Sequence, residues 1–468
     1  MLLNSTEVRS EAHDVLVLGS GLAGMAAAIS AREAGAQVTL IDKAPETAKG
    51  GNTRFSGGAL RCPTKETPPD ALIDELNQMT RGRADPALAR LLYGNAEADV
   101  KWLMGLGAPL ADPSIERPDL RGGKMSFHVR GNGYGLVEAL YPLLAQRGIA
   151  VRFDTKAVDI LLDGNGRTAG ARVKTREGYA DYHARAVIIA TGGFQANTEM
   201  RVRYLGREAG SLVVRGSRYN TGDGIAMALA IGAQSTGDWG GFHSAVLDAR
   251  SAPVEAGETN INSYPYTLMV NRNGERFVDE GAEFFDLTYV KYGKAILAQP
   301  GGLAYCLFDA KLAEQELVYC LHREFLPIDA GSIVRLAQKL DIPAHRLSAT
   351  VDAYNAAVQP GEFDPERKDG KCTQGLMPPK TNWALPLDTP PYFAFPVTGG
   401  LTFTLGGLKV DDRARVVDSE ARAIPGLYAA GEIVGGLFYD NYPGGASLLR
   451  AMVFGRLAGR EAAALPVQ

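Results

Sequence analysis

The chain has 468 residues, which is too long for one simple hydrophobic core and predicts two or three domains. Apolar residues make up 46 % and charged residues 22 % of the sequence, which excludes a disordered or fibrous protein. The formal net charge is −4 and no long basic run occurs, so we expect no nucleic-acid partner.

Signals for membrane insertion are missing from the sequence. The N-terminal stretch MLLNSTEVRSEAHD is too polar for a signal peptide, and no apolar run approaches about 18 residues. We therefore expect a cytoplasmic protein with no membrane span, and a peripheral membrane contact stays open. The four cysteines are scattered without a Cys-x-x-Cys pair, which suits a reducing compartment and predicts no metal site.

The first predicted elements form a βαβ unit. DVLVLGSGLAGMAAAISAREAGAQVTLID predicts strand, glycine turn, helix and strand, because a β-branched run changes to an Ala-rich helical pattern and back. Gly19, Gly21 and Gly24 form G-x-G-x-x-G in the turn, where glycine lets backbone N–H groups approach a pyrophosphate. Asp42 closes the second strand, where its carboxylate can accept hydrogen bonds from a ribose. This pattern predicts a dinucleotide site.

The rest of the chain alternates helical and strand signals. Helical periodicity follows over 70–106, 288–298, 331–339 and 346–358, and RAVIIATGG predicts a buried strand. From about Asp238, aromatic residues, His and Asn appear among loops, and the Pro-rich segment 359–396 predicts connectors. Strand signals return in LKVDDRARVVD and GLYAAGEI.

Three further glycine-bearing segments, GGNTRFSGG, ATGG and AGE, are spread along the chain. A nicotinamide enzyme usually needs only the first unit, whereas such dispersion suits a long cofactor that lies extended through the fold, as FAD does. In this interpretation Glu432, at the end of a strand, accepts hydrogen bonds from ribityl hydroxyls.

Together these segments resemble the flavoprotein family of fumarate reductase and succinate dehydrogenase. The resemblance runs nearly end to end and rests on GSGLAGMAAA, GGNTRFSGG, AVIIATGGF, NTGDGIAMALAIGA, VNRNGERFVDE and GLYAAGEIVGG…GGASLLRAMVFGRLAG. It implies an α/β fold with a Rossmann-like, parallel-sheet FAD domain built from both chain ends, 1–237 and 403–468. An α+β capping domain, 238–402, is implied between them.

The resemblance also implies the cofactor site. Members that bind FAD covalently carry a histidine before the second Gly-Gly segment, where this chain has Ala48 and Lys49, so we expect non-covalent FAD. The Cys-x-x-Cys-His of haem-bearing members is absent. The other residues expected at the cofactor are Leu22, Ala23, Lys43, Gly50, Gly51, Asn52, Thr53, Gly57, Gly58, Ala157, Val158, Ala190, Thr191, Gly192, Asp223, Gly431, Ala446, Ser447, Leu448 and Leu449.

The polar residues with which fumarate-type members hold a dicarboxylate are mostly replaced. The first histidine of that set falls on His243, whereas the second falls on Phe403. Phe284 and Phe285 stand where the proton-donating arginine is expected, and Tyr442 takes the place of the C-terminal substrate-binding arginine. A small dianion would be poorly held, because a buried carboxylate needs a cationic or hydrogen-bonding partner.

Two subfamilies share more with this chain. GGNTRFSGGALR, TFTLGGLKVD and GLFYDNYPGG resemble tricarballylate dehydrogenase, although an arginine is expected there at Phe285. Tyr442 followed by Pro-Gly-Gly also resembles 3-ketosteroid Δ1-dehydrogenases and related cyclic-ketone desaturases. Both resemblances imply introduction of a C=C bond next to a carbonyl in a small carboxylic or cyclic keto acid.

Such a reaction needs oxyanion donors and a base. We expect the Tyr442 hydroxyl and the N–H of Gly445 or Ala446, at a helix N-terminus, to polarise the carbonyl. The candidates for the base are Tyr289, Tyr292 and His243, with Tyr264 and Tyr266 as further tyrosines that would need a lowered pKa.

Two arginines are candidate carboxylate ligands. Arg450 lies on the predicted helix after the glycine pair, and Arg54 lies in a cofactor-side loop. On the same helix Ala451, Gly455 and Gly459 recur every fourth position and predict tight packing against the FAD domain.

Three alternatives to the desaturase of small keto or carboxylic acids stay open. They are an enoate reductase of the fumarate reductase type that works in the opposite direction, a 3-ketosteroid-type dehydrogenase, and a flavin-binding subunit that docks a partner protein. The electron acceptor is open among a quinone, an electron-transfer protein and oxygen.

Overall fold

A parallel β-sheet carries the FAD-domain half of the computed structural model, which describes residues 10–112, 126–315, 317 and 325–466. The strands of this sheet are β1 (Ser10–Leu18), β2 (Val38–Ile41), β6 (Ala150–Arg152), β7 (Lys156–Leu162), β8 (Thr168–Thr175), β9 (Gly178–Ile189), β16 (Arg415–Val417) and β17 (Ala423–Ala429). Along the sheet the order is β16-β17-β9-β1-β2-β6, and β8 and β7 extend it from β9. The neighbours β17, β9, β1, β2 and β6 run parallel. Because β17 comes from the C-terminal part of the chain, both chain ends build this sheet, as predicted.

Helices cover the sheet and fill the rest of the molecule. They are α1 (Leu22–Glu33), α2 (Pro69–Met79), α3 (Pro86–Gly105), α4 (Asn132–Gln146), α5 (Thr198–Leu205), α6 (Asp223–Ala230), α7 (Phe285–Leu297), α8 (Ala310–Ala313), α9 (Ile333–Lys339), α10 (Ala344–Ala357) and α11 (Ala446–Ala463). The helical periodicity of 70–106 belongs to two helices, because a break over 80–85 separates α2 from α3. No helix among the described residues is long and apolar enough to cross a membrane.

Helices α1 and α11 pack tightly against each other. A Cβ added at Gly455 would lie 2.5 Å from the Ala23 carbonyl oxygen, and one added at Gly459 would clash with the Ala27 carbonyl. Glycine at these positions therefore lets the two backbones approach, as the spacing of small residues predicts. The last helix of the chain is thereby fixed against the first helix of the βαβ unit.

A second sheet lies on the substrate side. Its strands are β10 (Val213–Val214), β11 (Ser235–Asp248), β12 (Leu268–Asn271), β13 (Leu303–Asp309), β14 (Ile328–Ala330) and β15 (Tyr392–Leu408). The long strand β15 pairs with β10, β11, β13 and β14. The prediction of connectors over 359–396 is wrong for its last residues, which form the start of β15. The alternating pattern of YFAFPVTGG, just after the Pro-rich loop, is typical of a strand. A small third sheet is formed by β3 (Ala59–Leu60), β4 (Leu110–Ala111) and β5 (Phe127–Val129).

Strands β11 and β15 connect the two halves of the molecule. They pair antiparallel from Ser235 opposite Leu408 to Asp248 opposite Val397, with His243 opposite Phe403. The expected domain boundaries, 237/238 and 402/403, therefore fall inside two paired strands. Helix α7 packs on both strands and brings its first two turns over the His243–Phe403 pair.

Candidate active site

One elongated cavity begins at the glycine turn after β1 and ends between β11, β15, α7 and the start of α11. Most of the predicted cofactor residues line it: Gly19, Gly21, Leu22, Ala23, Asp42, Lys43, Gly51, Asn52, Thr53, Gly57, Gly58, Ala157, Ala190, Thr191, Gly192, Asp223, Gly431, Glu432, Ser447 and Leu448. Five others are not part of this lining: Gly24, Gly50, Val158, Ala446 and Leu449.

The glycine turn has the shape that a pyrophosphate requires. Gly19 has a φ of +104°, and a Cβ there would lie 2.5 Å from the Ala190 carbonyl oxygen. Gly21 precedes α1 and has space on its cavity side, because a Cβ there would meet nothing closer than 3.5 Å. At the start of α1 the Leu22 N–H donates to the Thr53 hydroxyl at 2.9 Å, and Gly21 and Ala23 border the cavity beside it.

Charged residues lie near the glycine turn, in the part of the cavity lined by the predicted cofactor residues, which we call the cofactor half. The Asp42 carboxylate accepts hydrogen bonds from the N–H groups of Ser20 and Ala44, both at 2.8 Å. Asp223 forms ion pairs with Lys43 and with Lys156, the latter at 2.9 Å. Burial lowers the pKa of Lys43, although its hydrogen bond to Asp223 opposes this shift.

Amide and hydroxyl groups surround Glu432 in the middle of the cavity. Its carboxylate accepts a hydrogen bond from the Thr404 N–H at 3.1 Å, and the side-chain amides of Gln195 and Asn220 lie at 3.4 Å. Loss of solvation raises the pKa of Glu432 to about 7. The buried hydroxyls of Thr191 and Thr402, which line the cavity nearby, have no hydrogen-bond partner among the described residues.

These residues fit FAD. The glycine turn suits a pyrophosphate, Asp42 stands at the strand end where this kind of fold binds a ribose, and Glu432 and the two unpartnered threonine hydroxyls suit the hydroxyls of a ribityl chain. Within the described parts of the chain, no cluster of His, Cys, Asp or Glu suits a metal ion. Cys320 lies outside the described residues.

The substrate end of the cavity is a cluster of five side chains, His243, Phe285, Tyr289, Phe403 and Tyr442, which we call the aromatic box. The ring centroid of His243 lies 4.8 Å from that of Tyr289, 4.9 Å from Phe403 and 5.0 Å from Tyr442. Phe403 stacks on the imidazole with an interplanar angle of 15°. Helix α7 supplies Phe285 and Tyr289, one turn apart on one face.

Burial fixes the charge states in the box. It lowers the pKa of His243 well below 6.5, with a further decrease from the positive charge of Arg215, so the imidazole is neutral at neutral pH. Burial also raises the pKa of Tyr289 well above 10. The pKa of Tyr442 is raised by burial too, but the Tyr289 hydroxyl and the charges of Arg215 and Arg450 oppose this shift. Both phenols are therefore protonated at neutral pH.

The other tyrosines proposed as bases bond elsewhere. The Tyr292 hydroxyl donates to the Asp279 carbonyl, and the Tyr266 hydroxyl donates to the Pro365 carbonyl at 3.1 Å. The Tyr264 hydroxyl interacts with Phe285 and Thr288. None of these three tyrosines lines the cavity.

The two arginines proposed as carboxylate ligands also lie outside the lining. Arg54 donates to the Thr47 carbonyl at 2.7 Å. Arg450 is 1 % exposed, and its guanidinium lies over the ring of Phe438 at 4.8 Å and that of Phe403 at 5.7 Å. Burial lowers the pKa of Arg450 to about 10, while Glu432 opposes the shift. Arg450 therefore packs against Phe403 of the box from outside the cavity lining.

Several polar residues of the lining were not predicted from the sequence. At the cofactor end they include Ser20, Thr155, Lys156, Ser217 and Asn220, and at the substrate end Arg215, Glu258, Asn260 and Asn262. The alternate spacing of the two asparagines in ETNINS is a strand-like signal for one shared face. Arg215, just before NTGDG, carries no such pattern.

Comparisons with known proteins show the family of the chain. The family model described as FAD binding domain matches residues 14–449. A fumarate reductase (cytochrome) of Shewanella frigidimarina is 32 % identical over 96 % of this chain and 77 % of its own length. A 4-oxocyclohexanecarboxylate 2-dehydrogenase of Sinomonas cyclohexanicum is 27 % identical over 96 % of this chain and 93 % of its own.

The fold likewise has a close solved counterpart. The structure of 3-ketosteroid Δ1-dehydrogenase from Sterolibacterium denitrificans superposes with a TM-score of 0.76, at 22 % identity, over 97 % of this chain and 100 % of that one. The family match covers nearly the whole chain, both ends of which build the cofactor cavity. The chain therefore belongs to the FAD binding domain family of fumarate reductase-type flavoproteins, FAD-dependent oxidoreductases that act on CH–CH groups.

Proposed function

We propose that this protein is an FAD-dependent desaturase that introduces a C=C bond α,β to the carbonyl of a small cyclic keto acid. The observation that carries the proposal is the aromatic box, in which Tyr442 stands beside a neutral histidine at the end of the FAD cavity. The 4-oxocyclohexanecarboxylate dehydrogenase among the relatives, which this chain matches over nearly its full length, supports this substrate class.

Two hydrogen-bond donors are available for the substrate carbonyl. Tyr442 keeps its proton because burial raises its pKa. The Gly445 N–H also borders the cavity, whereas the Ala446 N–H donates to the Pro443 carbonyl at 3.0 Å. We therefore choose Gly445 over Ala446 as the second donor. Two preorganised donors stabilise the oxyanion character that develops when the α-proton leaves.

His243 is our candidate for the proton acceptor. Its imidazole is neutral, and the buried Nδ1 atom has no hydrogen-bond partner among the described residues. Tyr289 is the second candidate, because its buried hydroxyl also lacks a partner there and lies close enough to Tyr442 to affect its ionisation. As a base, Tyr289 would need a large decrease of its pKa when substrate binds. Bound FAD supplies the acceptor for the hydride from the β-carbon.

The reverse reaction, reduction of an enoate, is the alternative with most support among the relatives. Phe284 and Phe285 argue against it, because neither can donate the proton that the reduction of an enoate requires. Phe285 lines the cavity and Phe284 packs on Trp383 with ring centroids 5.3 Å apart.

An anaerobic screen tests the proposed direction and substrate class. The oxidised holoenzyme is mixed with 4-oxocyclohexanecarboxylate, tricarballylate, cyclohexanone or succinate, and flavin absorbance is followed at about 450 nm. We expect bleaching by the keto acid. Re-oxidation of the reduced enzyme by unsaturated acids, with no bleaching by any saturated compound, would support the reductase instead. No reaction with any of them would favour a flavin-binding subunit that docks a partner.

Non-covalent FAD is part of the same proposal. The loop before Gly50 offers Ala48 and Lys49 and no histidine to form a covalent bond. Acid precipitation should therefore release all the flavin into the supernatant, and flavin that stays with the pellet would contradict the proposal.

A further inference from the structure

Arg215 brings a positive charge to the substrate end of the cavity. It follows strand β10, and its N–H donates to the Leu401 carbonyl at 2.9 Å, two residues before Phe403 on β15. The residue is 6 % exposed and lines the cavity together with the aromatic box. The mechanism proposed above leaves this charge without a role.

The guanidinium is held along one edge. Its Nε donates to the Gly257 carbonyl at 3.0 Å, and Nη2 donates to the Glu258 carboxylate at 2.7 Å. Nη1 has no hydrogen bond to another described residue. An arginine fixed in this way presents a rigid donor whose position is set before a ligand arrives.

The charge of Arg215 acts on the reacting end of the site. It lowers the pKa of both His243 and Tyr442. The other lysine and arginine side chains of the cavity lining, Lys43 and Lys156, are paired with Asp223 in the cofactor half. Arg215 is therefore the cation of the lining beside the box, since Arg450 lies outside the lining.

Amides extend this polar patch. Asn260 and Asn262 line the cavity near Glu258, and the buried Oδ1 of Asn260 has no hydrogen-bond partner among the described residues. An amide offers two donors and an acceptor, so Asn260 retains hydrogen-bonding capacity for a ligand. A neutral steroid ketone would leave a buried arginine and the Asn260 amide facing apolar surface, at a cost in free energy.

We propose that Arg215 is the carboxylate anchor of the substrate and the residue that makes the enzyme select a keto acid over a neutral ketone. The proposal rests on the proposed function, whose carbonyl site it complements. A guanidinium already shared with Glu258 suits one further carboxylate, so a monocarboxylate fits better than a tricarboxylate.

Binding of cyclohexanecarboxylate, which has the acid but no ketone, tests the anchor separately from the chemistry. We expect Arg215→Met to raise its Kd for the oxidised holoenzyme roughly 10- to 100-fold, the usual effect of losing a hydrogen bond to a charged group. Arg215→Lys should recover part of the affinity. Arg218→Met is the matched control, because Arg218 lies three residues away, 60 % exposed and paired with Glu255, and its loss should leave the Kd unchanged.

Calorimetry on protein with full FAD content gives these Kd values. An unchanged Kd in Arg215→Met would overturn the proposal. Should that variant fail to retain FAD, Glu258→Gln decides: removal of the competing carboxylate should lower the Kd several-fold if Arg215 binds the acid, and an equal or higher Kd contradicts the anchor.

Turnover separates this proposal from the proposed function. In the wild type, kcat/KM should favour 4-oxocyclohexanecarboxylate over cyclohexanone, and Arg215→Met should reduce this ratio mainly through KM. Arg215-dependent binding without flavin bleaching would retain the anchor and reject the desaturase. Bleaching with no preference for the acid would retain the desaturase and reject the anchor.

Discussion

The two halves of the cavity are built on different principles. In the cofactor half, at the end with the glycine turn, the backbone forms the wall. Gly19 has no room for a side chain, and the space beside Gly21 must stay open for the cofactor. In the aromatic box, side chains form the walls, and they come from β11, α7, β15 and the loop before α11. The first arrangement fixes which cofactor binds, whereas the second lets single substitutions change the reaction over the same frame.

Removal of the Tyr442 hydroxyl should impair catalysis in the aromatic box and leave FAD binding in the cofactor half intact. If this hydroxyl is an oxyanion donor, Tyr442→Phe should reduce turnover by about 10²- to 10³-fold. FAD content should not change, because the ring and its packing on Phe403, at 4.9 Å, are kept. Steady-state kinetics on the purified variant measures the effect. Tyr439→Phe, in the same loop but outside the cavity lining, should retain the wild-type rate.

The cofactor half should respond to pH through Glu432. Its pKa is raised from 4.5 to about 7, so the folded apoprotein binds a proton more tightly than the unfolded chain does. The contribution of Glu432 is therefore most favourable below pH 4.5 and is lost as the pH rises through about 7, by up to about 3 kcal/mol.

Glu432→Gln removes this dependence. Denaturant unfolding of apoprotein and variant at several pH values should give a difference in free energy of unfolding that shifts in favour of the variant as the pH increases. A difference that is constant with pH would show that the carboxylate is not destabilised by its surroundings.

The packing of the last helix, α11, on the first helix, α1, can be tested by a substitution at their contact. Gly455→Val should destabilise the fold by about 1 to 3 kcal/mol, because the new side chain meets the Ala23 carbonyl and has no room. Gly94→Val in α3 is the matched control, since a Cβ there meets nothing within 4 Å and helix propensity improves slightly. Thermal unfolding compares the two, and equal Tm values would contradict the close contact.

The smallest expected effect concerns His243, whose imidazole should not titrate near neutral pH. The pKa of His243 lies well below 6.5, so its imidazole should show no protonation step near about pH 6.5. Nuclear magnetic resonance of histidine-labelled protein can follow this, with the signal assigned by its loss in His243→Gln. A step near that pH would mean that water reaches the box and that His243 is a cation when acid substrates bind.

The difference between the cofactor half and the aromatic box also explains which site residues could be predicted from the sequence. G-x-G-x-x-G, Asp42 and Glu432 were placed from short motifs, because each sits at a strand end whose geometry is local. The α/β fold and its construction from both chain ends followed from the family resemblance, and the parallel pairing of β17 with β9 confirms it.

The box was harder to predict, because it depends on which face of an element meets the cavity. Tyr289 and Tyr292 lie on the same helix, but only a tertiary contact decides that the former faces His243 while the latter bonds to Asp279. Arg215 was missed for a similar reason, since β10 has two residues and no periodicity. Its proximity to the box arises from pairing with β15, far along the chain.

Strand β15 contacts both halves of the cavity within three residues. Phe403 stacks on His243, while the neighbouring Thr404 donates its N–H to Glu432, and the Thr402 carbonyl accepts from Asn52 at 2.9 Å. The pairing of β15 with β11 shifts its register between Phe403 and Leu401, so inserting or deleting one residue within the strand here would replace the aromatic wall by a neighbouring residue and disturb flavin and substrate together. The register of β15 around Phe403 is therefore under a tighter constraint than the identity of the side chain at 403, and divergence of substrate is expected through replacement at this position rather than through a change in strand length.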